Sequence, residues 1–210
     1  MATMTTVETR CCIAGGGPAG LMAGYLLARA GVDVVVLEKH ADFLRDFRGD
    51  TVHPSTLDVM DELGLLDRFL ELPHQKVPRL AAQFGDERIE IADFSHLPVR
   101  EKYIALMPQW DFLNFLAEEA ARFPTFRLMT QTEATGLIEQ GTAVVGVRTK
   151  GPGAASGEVM ADLVIGADGR GSHLRAEAGL ESIDLGAPMD ALWFRLPRMP
   201  EDGKETMGRF

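Results

Sequence analysis

One short stretch constrains this chain more than any other: Gly15-Gly16-Gly17-Pro18-Ala19-Gly20, with glycine at the first, third and sixth places. Its neighbours make it informative. Residues 10–14 (RCCIA) form a short apolar run ending at the glycines, which predicts a central, buried strand. Residues 18–30 are helix formers in which Leu21, Met22, Leu26 and Leu27 make an apolar stripe, and Gly31 ends the helix. Residues 33–38 (DVVVLE) are β-branched and predict a second buried strand. Strand, tight turn, helix and strand in about thirty residues make a βαβ unit.

Each residue of the turn then has a physical task. Gly15 permits the tight turn, Gly17 lets a pyrophosphate approach the backbone, and Gly20 lets helix and strand pack closely. Pro18 and Ala19 open the helix, where N–H groups and a partial positive charge suit phosphate. Glu38 closes the second strand eighteen residues after Gly20. A carboxylate there accepts hydrogen bonds from ribose hydroxyls and repels a 2′-phosphate. Lys39 follows it and is grouped with the same cofactor-binding set. The pattern fits FAD or NAD, disfavours NADP, and does not by itself separate the first two.

Bulk properties exclude other classes. A net charge of -10 and a pI of about 5.0 argue against nucleic acid and against polybasic attachment to an anionic membrane. No apolar run approaches the ~20 residues that span a bilayer. Residues 1–8 lack the basic and apolar regions of a signal peptide, so cytoplasmic residence is expected. Cys11 and Cys12 are adjacent and point to opposite faces of a strand, so they read as small apolar core residues. The histidines are scattered without ligand spacing, and no metal site is expected. No Ser-His-Asp grouping or carboxylate pair emerges from spacing, so no catalytic acid or base is assigned.

Further along, residues 54–71 are helical with a break at Gly64. Residues 79–84 and 87–92 predict a hairpin around Gly85-Asp86. A short strand at 103–107 precedes a helix over 108–122, with Pro108 in its first turn. Strands follow at 126–130, 133–139, 143–149 and 159–165, then a short helix from Ser172 and a last strand at 190–196. The expected fold is α/β: a Rossmann-like βαβ domain with an inserted antiparallel β segment and the opening of a second sheet.

Three further segments carry a resemblance: Arg48-Gly49-Asp50-Thr51-Val52-His53-Pro54, Pro108-Gln109-Trp110 with Leu113, and residues 162–172 (DLVIGADGRGS) with Arg175 beyond. Their order and spacing, over most of residues 8–195, resemble the FAD-dependent aromatic hydroxylases, a family of flavoprotein monooxygenases. The resemblance implies FAD as the cofactor. It implies that Arg48 lies near the pyrophosphate and the flavin-bearing side, with Arg45 as an alternative in the same loop. It implies that Gln109 meets the ribityl and phosphate part. Asp168 and Gly169 would lie near the pyrophosphate. Arg170 and Arg175 read as a solvated helix start, and His53 as structural.

The activity so implied is hydroxylation of an aromatic or polyketide-like small molecule with NAD(P)H and O₂ as co-substrates. The flavin carries the hard chemistry, while the protein supplies position, electrostatics and exclusion of water. Oligomeric state is not legible. Residues 8–180 are expected to form the FAD-binding domain, with a β excursion at about 79–107, and residues 181–210 to open a substrate-binding domain. Members of the family are longer and carry a further Gly-Asp motif that has no counterpart here, so an N-terminal fragment is expected. Two other functions stay open on the residues: a same-fold flavin reductase, and a non-catalytic nucleotide-binding fragment.

Overall fold

The computed structural model describes residues 5–44, 50–186, 197, 199 and 207–209. In chain order its elements are β1 (Thr5–Ala14), α1 (Pro18–Arg29), β2 (Val34–Leu37), β3 (Thr51–Val52), α2 (Pro54–Glu62), α3 (Leu66–Phe69), β4 (Gln75–Val77), β5 (Arg79–Phe84) and β6 (Glu87–Asp93). They continue as β7 (Ile104–Leu106), α4 (Gln109–Ala120), β8 (Phe126–Met129), β9 (Glu133–Gln140), β10 (Ala143–Lys150), β11 (Ser156–Gly166), α5 (His173–Glu177) and β12 (Met207–Arg209). The chain divides into two compact units, Met1–Arg45 with Leu113–Pro188, and Asp46–Phe112 with Met189–Phe210.

The first unit is built on a six-stranded sheet in the order β8-β2-β1-β11-β10-β9. The first four strands run parallel, and β10 and β9 return antiparallel. β1 occupies the middle, pairing Cys11 with Val34 on one side and with Leu163 on the other. That position explains the unbroken apolar run at its end, since both faces are covered. Cys12, Val35, Val147 and Val159 join Leu174 in the core on one face. β1 begins five residues earlier than its apolar run. Its polar start, TTVET, is carried by pairing along β11, from Thr5 opposite Gly157 onward.

Helix α1 lies close on the sheet because Gly24 has no side chain. A Cβ there would stand 2.7 Å from Val36 Cγ2 and 3.0 Å from Phe126 Cε2. Tyr25 packs edge-on against Phe123 with ring centroids 5.6 Å apart. Gly31, at φ +78, ends the helix as its left-handed preference dictates.

The second unit holds two three-stranded sheets, β3-β7-β4 and β12-β5-β6. The break at Gly64 is a left-handed turn, φ +72, that separates α2 from α3. Leu57, Met60, Leu66 and Phe69 are buried there, and Phe69 meets Phe112 edge-on at 5.7 Å. Tyr103 is stacked on His74 with ring centroids 6.3 Å apart, and Lys76 Nζ sits 4.5 Å from the Tyr103 ring centre. Arg100 reaches the carboxylates of both Asp61 and Asp67, tying its loop to α2 and α3. The hairpin turns at Gly85, φ +58.

Three elements have no counterpart in the sequence reading: β3, only two residues, β4, three residues paired antiparallel with β7, and β12, which pairs parallel with β5 through Met207 and Ala81. Pro108 lies just ahead of α4 rather than inside it, and its carbonyl accepts from the Asp111 amide at 3.0 Å. The strand expected at 190–196 falls outside the described residues. Among the described residues no helix is long and apolar enough to cross a membrane, and no group of three His, Cys, Asp or Glu could hold a metal ion.

Candidate dinucleotide site

In the first unit the carboxyl ends of β1, β2 and β11 meet. Ala14 stands in register with Leu37 and with Gly166. Beyond them the backbone stays knit: the Gly15 amide donates to Leu37 O at 2.8 Å, and the Ala167 amide donates to Ala14 O at 2.7 Å. Ligands of open parallel sheets bind at such ends, outside the strands, where loops diverge to opposite faces.

Gly15 takes φ +111, which only glycine adopts readily, and lies against the Ala167–Asp168 peptide. A Cβ at Gly15 would overlap Ala167 O and come within 3.0 Å of Asp168 N, so two loops approach here that a side chain would separate. Gly20 is buried in the first turn of α1, and a Cβ there would overlap Gly15 O and touch Ile13 Cγ2 at 3.4 Å. Gly17 differs from both. It is the N-cap of α1, and a Cβ there would meet nothing within 4 Å.

Open space therefore lies directly ahead of the helix. No side chain caps α1 and no acidic residue lies in its first turn. Its first N–H groups belong to a helix end that attracts anions. Pro18 is the first helical residue, where its missing N–H costs no intrahelical bond. Pro18, Ala19 and Lys39 are exposed.

Glu38 is 5% exposed, an unusual state for a carboxylate unless its oxygens are occupied. The Gly16 amide donates to Oε2 at 3.1 Å, and the His40 amide donates to Oε1 at 2.9 Å. The side chain is thereby held against the glycine turn. Gly16 makes this approach possible, because a Cβ there would stand 2.9 Å from Glu38 Cβ and 3.0 Å from Oε2. Gly16 is thus a site residue that the six-residue pattern leaves unspecified.

Asp168 follows β11. Its Oδ2 accepts from the Leu174 amide at 3.3 Å, while Oδ1 is buried without a hydrogen-bond partner. Gly169 turns at φ +87 with open space beside it. Ser172 caps α5, accepting from the Arg175 amide at 3.0 Å, and the Arg175 guanidinium donates to Arg170 O at 2.9 Å. A cavity of about 530 Å³ opens beside Asp168, lined also by Gly169, Ser172 and Arg175 with Leu163 and Val164.

The structure thus gathers Gly15, Gly17, Pro18, Ala19, Gly20, Glu38, Lys39, Asp168 and Gly169 around the same strand ends. Gln109 is half-buried at the start of α4, in the second unit. Arg48 and Arg45 lie outside the described residues. His53 is the N-cap of α2, its carbonyl accepting from the amides of Thr56 and Leu57, with no capping bond from its side chain. A dinucleotide fits what is present. There is open backbone at Gly17 for a diphosphate, a fixed carboxylate at Glu38 for a sugar, and a buried acceptor at Asp168 Oδ1 lacking a donor.

A family model described as FAD binding domain matches residues 8–197. The chain belongs to this FAD-binding domain family. Its relatives include the 6-methylpretetramide 4-monooxygenase of Streptomyces rimosus, 33% identical over 191 residues, covering 90% of this chain and 45% of the relative. The rifampicin monooxygenase of Streptomyces venezuelae is 34% identical over 174 residues, covering 80% of this chain and 33% of the relative. Among solved structures, p-nitrophenol 4-monooxygenase PnpA of Pseudomonas putida DLL-E4 superposes with a TM-score of 0.72 at 28% identity, covering 84% of this chain and 44% of that one. This FAD-binding domain therefore spans less than half the length of these proteins. Kinship with FAD-dependent aromatic hydroxylases, expected from the sequence, is what the matches show, and FAD is the cofactor of the family.

Proposed function

We propose that this FAD-binding domain serves a monooxygenase that hydroxylates an aromatic or polyketide-like small molecule, with NAD(P)H as reductant and O₂ as oxidant. The observation that carries the reading is Glu38 locked onto the glycine turn beside an uncapped, open helix start. In this reading the amides around Gly17, Ala19 and Gly20 hold the diphosphate. Glu38 holds the adenosine ribose with Lys39 beside it. Asp168 and Gly169 flank the pyrophosphate, and Arg48 and Gln109 serve the flavin-bearing half. Residues 8–180 form the cofactor domain and residues 181–210 open the substrate domain. Cytoplasmic residence belongs to the same reading, where NAD(P)H is at hand.

When bound, the flavin supplies the redox chemistry. One oxygen atom of O₂ enters a C–H bond of the substrate as hydroxyl. The other leaves as water, with two electrons from NAD(P)H and a proton balancing the exchange. The residues of this chain bind and orient, and none is assigned a proton-transfer step. The names of the relatives support the choice of reaction, since they are a 6-methylpretetramide 4-monooxygenase, a rifampicin monooxygenase and a p-nitrophenol 4-monooxygenase.

The test is FAD titration of the purified chain, followed by NAD(P)H oxidation and oxygen uptake with aromatic substrates. Tight FAD binding with substrate-stimulated oxygen uptake and a hydroxylated product is expected. A flavin-bound protein that oxidises NAD(P)H and hydrogenates its substrate without oxygen uptake would establish the reductase instead. A protein that takes up no flavin would leave the non-catalytic reading.

A further inference from the structure

We propose that Glu177 is a positioning residue of the cofactor site, acting through Asp168. The inference rests on the reading above, in which Asp168 faces bound FAD. It starts from a helix that should not stand alone. α5 has five residues, well short of the length at which a helix supports itself in water. Its start is held by Ser172 Oγ on the Arg175 amide and by Asp168 Oδ2 on the Leu174 amide. The side chain of Leu174, 3% exposed, anchors it in the core. Its end is held by Glu177.

The Glu177 bond is specific. Oε2 accepts from the Leu137 amide of β9 at 2.6 Å, and the Arg148 guanidinium of β10 approaches the same oxygen at 3.4 Å. β9 is the outer strand of the sheet, so the carboxylate occupies an edge amide that no further strand takes up among the described residues. Gly136 leaves room for this pair: a Cβ there would overlap the end of the Arg148 guanidinium and stand 2.9 Å from both carboxylate oxygens of Glu177.

Asp168 depends on this arrangement. Leu174 N–H belongs to α5 and is the donor that orients the Asp168 carboxylate, leaving Oδ1 buried and unpartnered. If Glu177 lets go, α5 loses the hold at its C-terminal end, the Leu174 amide shifts, and Oδ1 is no longer held in one place. Glu177 touches neither the glycine turn nor Glu38. Its effect on the cofactor runs through α5.

The experiment is FAD titration of the full chain carrying Glu177→Ala, Glu177→Gln, Asp168→Asn, and Asp168→Asn with Glu177→Ala together. Glu177→Ala should weaken FAD binding about tenfold. Glu177→Gln keeps an oxygen for the Leu137 amide and should stay within about twofold of the wild type. The double variant should bind no worse than Asp168→Asn alone, whereas a loss from general destabilisation would repeat in full on the Asp168→Asn background. If Glu177→Ala does not fold, Gly136→Ala, which crowds the same carboxylate, replaces it in the cycle. Unchanged affinity in Glu177→Ala, a loss that adds fully to that of Asp168→Asn, or a Glu177→Gln variant as weak as Glu177→Ala would overturn the proposal. A wild-type chain that takes up no FAD would overturn the underlying reading and this inference with it.

Discussion

Gly17 borders open space and Cys12 is fully buried, and each makes a prediction that a single side chain can test. Gly17 keeps an ordinary φ of -76°, so a larger residue is tolerated by the backbone, and open space surrounds its Cβ position. Gly17→Val should therefore leave the apo protein within about 1 kcal/mol of its stability. The added methyl groups would stand where a diphosphate approaches, and FAD affinity should fall more than about tenfold. Urea unfolding and FAD titration on the same samples check both halves; unchanged affinity would contradict the assignment of the turn. Cys12 is fully buried, and burial first, with the neighbouring Cys11 thiol second, pushes its pKa from 9.0 up to about 12. Its thiol is neutral in the folded chain where it would ionise in the unfolded one. The unfolded state thus binds fewer protons between about pH 9 and 12, so stability falls as pH rises through that window. Denaturation curves from pH 8 upward should show a decline that is shallower in Cys12→Ala, and an equal slope in both would refute it. At this scale the motif glycines were legible because their spacing between strand and helix is itself the signal, although the Ala167–Asp168 peptide that crowds Gly15 is remote in sequence. Gly16 was not, because what requires it is the Glu38 side chain, placed against it only when β1 and β2 pair.

Among the elements, α1 and the strands it covers depend on one close approach. Gly24→Val would drive branched methyl groups into Val36 and Phe126, where even a Cβ stands at 2.7 and 3.0 Å. Overpacking of this kind costs about 1–3 kcal/mol. Chemical denaturation should show that loss, and the glycine turn at the start of the same helix should bind FAD more weakly as α1 lifts from the sheet. A variant as stable as the wild type would mean that the helix does not pack on β2 and β8 as described. The long elements were readable from pattern: the stripe of α1, the β-branched run of β2, and the hairpin at Gly85. The polar start of β1 was not readable, because its strand conformation comes from pairing with β11. β3 and β12, of two and three residues, owe their existence to partners and carry no periodicity of their own.

Across the whole molecule, protection should follow the centre of the large sheet. β1 and β2 are buried through residues 11–14 and 34–37 and carry partners on both sides. Their amides should exchange hydrogen only with global opening, while β6, an exposed edge strand, and the exposed residues 180–186 should exchange early. Hydrogen exchange followed by mass spectrometry would reveal the order, and early exchange at 11–14 would contradict the central placement of β1. The sequence by itself determined the βαβ unit, its glycine turn, the acidic residue that closes β2 and the kinship with FAD-dependent hydroxylases. These features are local, written in spacing and in the conformational freedom of glycine. Only the tertiary structure decided that Glu38 is locked by the Gly16 and His40 amides, that Asp168 keeps a buried oxygen without a donor, and that Glu177 pins α5 to the sheet edge. The Gly16 and Leu137 amides reach their carboxylates only through strand order and register, and a carboxylate in a sequence carries no mark of which distant amide it will meet.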